Sequence, residues 1–402
     1  MTGAGARDLM PQVSTATDAQ SELIVLALNT GSSSLKFGLY RVGSSSVEII
    51  LTGKAESIGE KSGKFSARDS RGDPLLLEAA PVANLQDAID GIGRLLDGSN
   101  IPAPSAVGHR VVHGGPDLQQ HCLIDELVLQ KLVSAAAFAP LHTASALSVI
   151  RFAQAHFPGI PQVACFDTTF HAEMPDVARV LPLPKELRSE GMQRYGFHGL
   201  SCESILHQLR ASVPDRLVIA HLGNGASVTA VRDGRSVDTS MGLTPSGGVI
   251  MGTRTGDLDP GVLIYLMRER TFDAAMLEDL IDHRSGLLGI SGLSGDMRRL
   301  HDAASTNPDA GLAVEMFCYS VRKQIAAMMA ALDGLDMLVF TGGIGENDGE
   351  VRASICAGLS WAGIHLDAAQ NHGNSRVQVF ASKEEEQIAR HTWALSQRSV
   401  TC

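Results

Sequence analysis

Several short segments place hydroxyl, basic or acidic side chains beside glycine, a composition typical of phosphate-binding sites. The first is the run NTGSSSLK from Asn29 to Lys36, which includes Ser32. Small residues let backbone N–H groups and hydroxyls converge on an anion, and Lys36 adds a cation. The alternative is a polar hairpin turn with a solvated lysine. The run is not a Walker A loop, and the nearest candidate, Gly59–Phe65, is one residue short between its glycines.

A Gly-rich segment with one central arginine, Met241–Gly261 (MGLTPSGGVIMGTRTGDLDPG), indicates phosphoryl-transfer chemistry. A loop that presents the guanidinium of Arg254 suits the charge that develops around phosphorus, where an arginine contributes ~10³–10⁵ in rate. The alternative is a solvated loop in which Arg254 pairs with Asp257.

Arg110 and Asp167 are predicted near the ends of apolar strands. Arg110 alternates with Val111 in GHRVVHGG, so the two side chains should face opposite sides of the strand. A buried arginine needs an anionic partner, which is either a ligand or an internal salt bridge. Asp167 follows the apolar run PQVACF, where ligands bind in α/β sheets, although a capping role is the alternative. His198 in RYGFHG can donate to a transferring group, but a lone histidine is more often structural.

The elements that must position these residues repeat one pattern. Strands are predicted at Leu23–Asn29 and Leu35–Val42, and again at Arg216–Leu222 and Ala226–Arg232, with a turn of small residues inside each pair. The likeness predicts either two ordinary hairpins or a duplicated phosphate-binding hairpin.

Two further segments lie towards the end of the chain. The Gly-rich turn Thr341–Asn347 is predicted to let a nucleotide approach the backbone. The charge run Glu384–Glu386 is by default a solvated helix N-terminus, where acids favour the helix dipole.

Composition limits the class of protein. The length of 402 residues suits two domains, and the net charge of −11 disfavours nucleic acid as a partner. The sequence contains no apolar run long enough to span a membrane. Its six scattered cysteines, without a C-x-x-C pair, indicate reduced thiols and a cytoplasmic location. Residues 1–20 lack an apolar stretch and are predicted to be a disordered extension.

Eight segments, in order from Leu28 onward, resemble the acetate kinase family: LNTGSSSLKF, GHRVVHGG, FDTTFH, RYGFHG, HLGNGASV, MGTRTGDLDPG, SGLLGISG and FTGGIGEN. The resemblance implies an α/β fold of two ribonuclease-H-like domains, the actin-like ATPase fold, closing on a nucleotide cleft. It implies an N-terminal domain at 21–167, to which the C-terminal helix 386–402 returns. It also implies a C-terminal domain at 168–385 that carries nucleotide-binding and dimer surfaces.

The resemblance further implies roles for individual residues. The implied catalytic residues are Asp167, His198 and Arg254. Arg110 is implied to hold the acetate carboxylate, and the implied methyl pocket consists of Val112, Leu141, Phe197 and Pro245. The implied nucleotide-binding residues are Ser32, Lys36, His221, Leu222, Gly223, Asn224, Gly225, Asp296, Met297, Arg298, Gly343, Ile344, Gly345, Glu346 and Asn347. The implied metal-side residues are Asn29 and Glu384, for Mg²⁺ or alternatively Mn²⁺.

The implied reaction is reversible, direct in-line transfer of a phosphoryl group from Mg·ATP to acetate by a cytoplasmic homodimer. The implied ligands are small molecules, with no nucleic acid or membrane partner. A propionate or other short-chain acyl kinase is the nearest alternative, disfavoured by the bulk of Val112, and a non-catalytic ATP-switch protein is the other. The chain departs from the family at Ser382-Lys383 and at the third acid, Glu386, so the metal-side acid is either Glu384 or Glu385.

Overall fold

The computed structural model describes residues 22–31, 34–59, 63–78, 82–98, 101–138, 140–366 and 376–398, and the predicted extension at 1–20 lies outside them. The described strands form two sheets. The larger sheet has the order β5-β4-β3-β2-β1-β6-β8-β7. Its strands are β1 (Leu23–Thr30), β2 (Leu35–Val42), β3 (Val47–Glu56), β4 (Lys64–Asp69), β5 (Pro74–Glu78), β6 (Ala106–Val111), β7 (Cys122–Leu123) and β8 (Gln162–Phe166).

The smaller sheet has the order β11-β10-β9-β12-β13. Its strands are β9 (Arg216–Leu222), β10 (Ala226–Arg232), β11 (Arg235–Thr239), β12 (Met337–Thr341) and β13 (Val377–Val379).

The two sheets share one topology. In the larger sheet β1, β2 and β3 are antiparallel neighbours, whereas β6 and β8 continue from β1 as parallel strands. In the smaller sheet β9, β10 and β11 repeat the antiparallel arrangement, and β12 and β13 repeat the parallel one. The predicted ribonuclease-H-like fold is therefore present twice, and the hairpins β1–β2 and β9–β10 occupy equivalent positions.

Helices cover both sheets. They are α1 (Leu85–Asp97), α2 (Glu126–Ser134), α3 (Pro140–His156), α4 (Asp176–Arg179), α5 (Lys185–Ser189), α6 (Gly199–Leu209), α7 (Pro260–Arg270), α8 (Ala274–His283), α9 (Gly286–Ser291), α10 (Met297–Ala303), α11 (Pro308–Ala331), α12 (Gly342–Asn347), α13 (Gly349–Ala357) and α14 (Glu384–Arg398). The predicted Gly-rich turn at Thr341–Asn347 is wrong in its form, because most of it is the short helix α12. No described helix has the length and apolar character needed to cross a membrane.

Alternating residues of β1 pack into two separate hydrophobic cores, and this packing fixes the register of the larger sheet. Leu26 packs with α1 and α3 on one face, whereas Val25 packs with Ile388 and Ala389 of α14 on the other. A one-residue slip would move every buried side chain to the wrong face, so burial on both faces defines the pairing. Because β1, β6 and β8 are parallel, the side chains at their carboxyl ends emerge at one edge of the sheet.

Candidate active site

Arg110 and Asp167 form the centre of this edge. Arg110 donates from Nε and Nη2 to Asp167 Oδ2 at 2.9 and 2.5 Å. Its Nη1 donates to Asn29 Oδ1 at 3.2 Å and to the Thr30 carbonyl at 3.4 Å. The internal salt bridge, left open by the sequence, is therefore present. A guanidinium has five N–H donors, so these four bonds within the described residues leave one N–H for a ligand.

Asn29 connects this ion pair to the C-terminal helix. Its amide Nδ2 donates to Glu384 Oε2 at 2.9 Å and to Glu385 Oε1 at 2.7 Å. The default expectation of solvated acids at Glu384–Glu386 is wrong for this pair, since both carboxylates face Asn29. The amide oxygen of Asn29 accepts from Arg110, so this side chain connects the guanidinium to the two acids and orients them. Direct metal binding by Asn29 remains a prediction.

Burial and neighbouring charge separate the pKa values of the three carboxyls. Burial raises the pKa of Asp167 to about 6, with Arg110 opposing the rise. Burial alone would raise the pKa of Glu384, but Arg110 and other positive neighbours lower it to about 2. The pKa of Glu385 is raised by burial and by repulsion from Glu384. At neutral pH Glu384 is therefore the firmly ionised member of the pair.

These groups fit a hard divalent cation. Oxygen donors from carboxylates suit such an ion, which keeps several of its waters. Asp167 Oδ1 is buried and has no hydrogen-bond partner among the described residues, an arrangement that a cation or its water would satisfy. Lys36 pairs with Asn29 in the β1–β2 register and favours the ionised forms of Glu384 and Glu385.

A second cluster gathers around the turn between β9 and β10. The rings of His198 and His221 stack with centroids 4.1 Å apart. A Cβ placed on Gly225 would lie 3.3 Å from His198 Nε2 and 3.5 Å from Arg254 Nη1. Glycine at this position thus keeps open the space between an imidazole and a guanidinium. Arg254 is held by its bond to the carbonyl of Pro245 at 3.2 Å.

The charged groups of the first cluster affect the pKa values of the second. Burial and electrostatic repulsion from His221, Arg110 and Arg254 lower the pKa of His198 well below its usual value. Burial and Arg110 also lower the pKa of Arg254, with Asp282 opposing them. His198 is therefore a neutral hydrogen-bond donor at pH 7, whereas Arg254 stays charged. Arg110 thus lies close enough to Arg254 to affect its pKa, and converging positive charge of this kind attracts an anion.

The predicted nucleotide segments flank the β9–β10 turn. Gly223 lies beside the start of α12, since its added Cβ would be 3.9 Å from Gly343 N. On the other side, Gly252 N donates to the Asn224 carbonyl at 3.0 Å, and Gly252 also packs against Gly295. Gly295 leads directly into the predicted segment Asp296–Arg298.

Individual residues of these segments differ in what they contact. Glu346 Oε1 turns inward and accepts from Gly342 N and Ser382 N, so Glu346 holds the backbone together. Asp296 caps α10 and pairs with exposed Arg298, whereas Met297 is buried. Asn347 donates to the Gly343 carbonyl. Leu222 and Gly345 are buried and Ile344 is half-buried.

The structure describes three of the four residues of the predicted pocket for the acetate methyl group. Val112 and Phe197 are buried in one apolar cluster, although Val112 follows β6 and Phe197 precedes α6. Pro245 reaches the same region through its carbonyl contact with Arg254. Ser32 and the side chain of Leu141 lie outside the described parts of the chain.

His121, Glu203 and His391 form a further cluster that sequence reasoning missed. Glu203 lies 3.4 Å from His121 Nε2 and 2.6 Å from His391 Nε2. Phe166 N donates to His121 Nδ1, so the neutral His121 ring carries its proton on Nε2. A metal at Nε2 would require loss of that proton. The cluster is therefore a hydrogen-bond network that links α6, α14 and the start of β7.

This hydrogen-bond network predicts that the free energy of unfolding falls at acidic pH. Burial alone would raise the pKa of Glu203, but its bonds to His121 and His391 lower it to about 2 from 4.5. Because the folded-state pKa is depressed, this stabilisation is present above pH 4.5 and is lost as the pH falls towards 2. Chemical denaturation at pH 7 should show Glu203→Gln less stable by at most about 3 kcal/mol, with the difference shrinking below pH 4. The exposed Glu186→Gln serves as control, and a pH-independent difference would contradict the assignment.

Comparisons with known proteins support the same scaffold. A sequence model described as the Acetokinase family matches residues 24–391. An acetate kinase of Nitrobacter hamburgensis is 42% identical over 390 residues, covering 92% of this chain and 96% of that protein. A propionate kinase from Francisella tularensis superposes with a TM-score of 0.85 at 36% identity, covering 93% of this chain and 100% of that one. An acetate kinase from Porphyromonas gingivalis superposes with a TM-score of 0.80 at 34% identity, covering 93% of this chain and 99% of that one. The likeness therefore extends over nearly the whole chain.

Proposed function

The chain belongs to the acetokinase family, and we propose from the geometry of its site that it is an acetate kinase, transferring a phosphoryl group reversibly from ATP to acetate. The observation that carries the proposal is that Arg254 and His198 both flank Gly225, while Arg110 lies close enough to lower the pKa of each of them. Acetate is ionised at neutral pH and needs no general base. The obstacle is the repulsion between two anions, which converging positive charge removes.

Each side chain has a defined task in direct in-line transfer. The remaining N–H of Arg110 receives the acetate carboxylate, while Asp167 and Asn29 hold the guanidinium in place. Arg254 and neutral His198 donate to the equatorial oxygens as the phosphoryl group flattens. Asp167 is held by Arg110 and orients groups around the transfer. It does not abstract a proton.

A magnesium ion is the proposed metal partner, held by Glu384 and Asp167 with Glu385 beside them. When bound, it neutralises charge on the phosphate oxygens. The proposed domains, 21–167 with 386–402 and 168–385, close on the nucleotide and exclude the water that competes as acceptor. The five described cysteines, Cys122, Cys165, Cys202, Cys318 and Cys356, are free thiols, which supports a cytoplasmic location.

The direct test mixes the purified chain with ATP, Mg²⁺ and acetate and traps acetyl phosphate as its hydroxamate. Formation of hydroxamate that depends on all three supports the proposal. ATP binding without hydroxamate would favour the non-catalytic ATP-switch alternative.

The size of the acyl pocket determines the preference between acetate and propionate. One methylene in an apolar pocket is worth about 1–3 kcal/mol. Since Val112 is buried in the same apolar cluster as Phe197, Val112→Ala should raise the ratio of kcat/KM for propionate over acetate by roughly 10-fold. The KM for ATP is the internal control and should not change. An unchanged acyl ratio would mean that the methyl group binds elsewhere.

We also propose a homodimer that forms through α7 and α8. Neither helix has a buried residue, although α7 carries Val262, Ile264, Tyr265 and Met267, each 40–55% exposed. An exposed apolar patch of this kind indicates a protein interface. Ile264→Arg should convert the dimer to a monomer in light scattering. The matched control is Val177→Arg on α4, where the valine is 93% exposed, and equal dissociation of both variants would contradict the assigned surface.

A further inference from the structure

A histidine of α10 joins the two segments that are predicted to contact the adenosine part of the nucleotide. His301 Nε2 lies 2.8 Å from Asp348 Oδ2, although the two residues are 47 positions apart. Because a carboxylate only accepts, His301 is the donor in this bond. His301 lies about one helical turn after Met297, the first residue of α10, and Asp348 directly follows α12. The bond therefore connects the segment Asp296–Arg298 to the segment Gly343–Asn347.

Asp348 is held from two further directions. Its Oδ1 accepts from Val351 N at 3.0 Å and so caps α13, while its own N–H donates to the Ile344 carbonyl of α12 at 2.9 Å. The side chains of His301 and Asp348 are 26% and 16% exposed, so water competes only partly for their bond. A second contact, from His301 Nδ1 to Glu350 at 3.5 Å, reaches an acid that is 87% exposed and is therefore the weaker one.

Arg352 of α13 fixes the other end of α12. The residue is 3% exposed, and its Nη1 donates to the carbonyls of Gly345 and Glu346 at 2.8 and 3.0 Å. These carbonyls lie in the last turn of α12, where backbone acceptors have no partner within the helix. The helices α12 and α13 therefore form one unit, and the bond from His301 sets where this unit lies relative to α10.

The same two segments also meet at the turn between β9 and β10. Gly223 lies beside Gly343 at the start of α12. Gly252, which donates to the Asn224 carbonyl, packs against Gly295 just before α10. The turn thus holds the two segments at one point, and the bond between His301 and Asp348 holds them at a second.

We propose that His301 is a positioning residue that sets the spacing between Asp296–Arg298 and Gly343–Asn347, and thereby the affinity for ATP. The inference rests on the nucleotide-binding side of the proposed function. His301 acts through Asp348, whereas the exposed Arg298 and Asn347 stay available to the ligand. Loss of the bond leaves the two segments held at the turn alone, so nucleotide binding weakens. The acetate side of the site is built from other residues and should not respond.

Calorimetric titration of the full chain with Mg·ATP, without acetate, measures the predicted effect directly. His301→Phe keeps an aromatic ring but has no donor, so the Kd for ATP should rise by roughly 10-fold, as expected when a hydrogen bond to a charged acceptor is lost. His301→Gln supplies an N–H that can reach Asp348 and should restore most of the affinity. His365→Phe replaces an exposed histidine and should bind ATP like the wild type.

Asp348→Ser tests the other partner of the bond. Serine still caps α13, but its side chain is too short to reach His301. This variant should weaken ATP binding as much as His301→Phe does. The double variant His301→Phe/Asp348→Ser should be no weaker than either single one, because all three lack the same bond. Steady-state kinetics at saturating ATP should show an unchanged KM for acetate and an unchanged kcat.

An unchanged Kd for ATP in both His301→Phe and Asp348→Ser would overturn the proposal. Equal rises in the Kd for ATP and the KM for acetate would also overturn it, because they would show a general loss of structure. Both outcomes presuppose that the wild type binds ATP, so they differ from a failure of the proposed function. A wild type that does not bind ATP would refute the proposed function and this inference together.

Discussion

Replacing Arg254 by alanine is expected to lower kcat by ~10³- to 10⁵-fold while changing the KM for ATP little. Arg254 lies next to His198 Nε2 across Gly225, and its guanidinium donates to the carbonyl of Pro245. We expect its guanidinium to act on the charge that grows as the phosphoryl group is transferred, rather than on the bound nucleotide. Steady-state kinetics with acetate and ATP varied separately give kcat and both KM values.

Two further variants sharpen the Arg254 experiment. Arg254→Lys keeps the charge but loses the planar donor fork, so it should recover only part of the activity. Arg188→Ala on α5 removes an exposed arginine and should leave kcat unchanged. A loss confined to the KM for ATP would move Arg254 out of the transfer step and into nucleotide binding.

The parts of the fold that could be predicted from sequence are those with local signals. The strands at 23–30 and 216–222 are nearly continuous apolar runs, because each is buried between covering layers. The small-residue turns that follow them predicted both hairpins. The turn at 341–347 was misjudged in form, since its glycines also permit the short helix α12 that follows β12.

Local sequence patterns could not predict the contacts that complete the site, because they join distant parts of the chain, and only the family resemblance placed Asn29 and Glu384 together. Asn29 and Glu384 are 355 positions apart, and only the return of α14 to the larger sheet brings them together. Acids at a helix start are usually solvated, so the run at 384–386 carried no local sign of burial.

Arg110→Ala is expected to have a broader effect than weaker acetate binding. The guanidinium holds Asp167 with two bonds and Asn29 with a third, and Asp167 is 1% exposed. Removing one partner of a buried ion pair typically costs 3–5 kcal/mol, because the other charge is left uncompensated. The variant should therefore show a lower free energy of unfolding by about that amount, together with a raised KM for acetate.

A double variant separates the two roles of Arg110. Arg110→Ala/Asp167→Asn removes the uncompensated carboxylate, so its free energy of unfolding should return towards that of the wild type. Its KM for acetate should stay high, because the N–H that receives the carboxylate is still missing. The single Asp167→Asn variant shows how much of any kinetic loss belongs to the acid itself. Recovery of acetate binding in the double variant would mean that Arg110 only neutralises Asp167. The converging charge that overcomes anion repulsion would then have to come from Arg254 and Lys36.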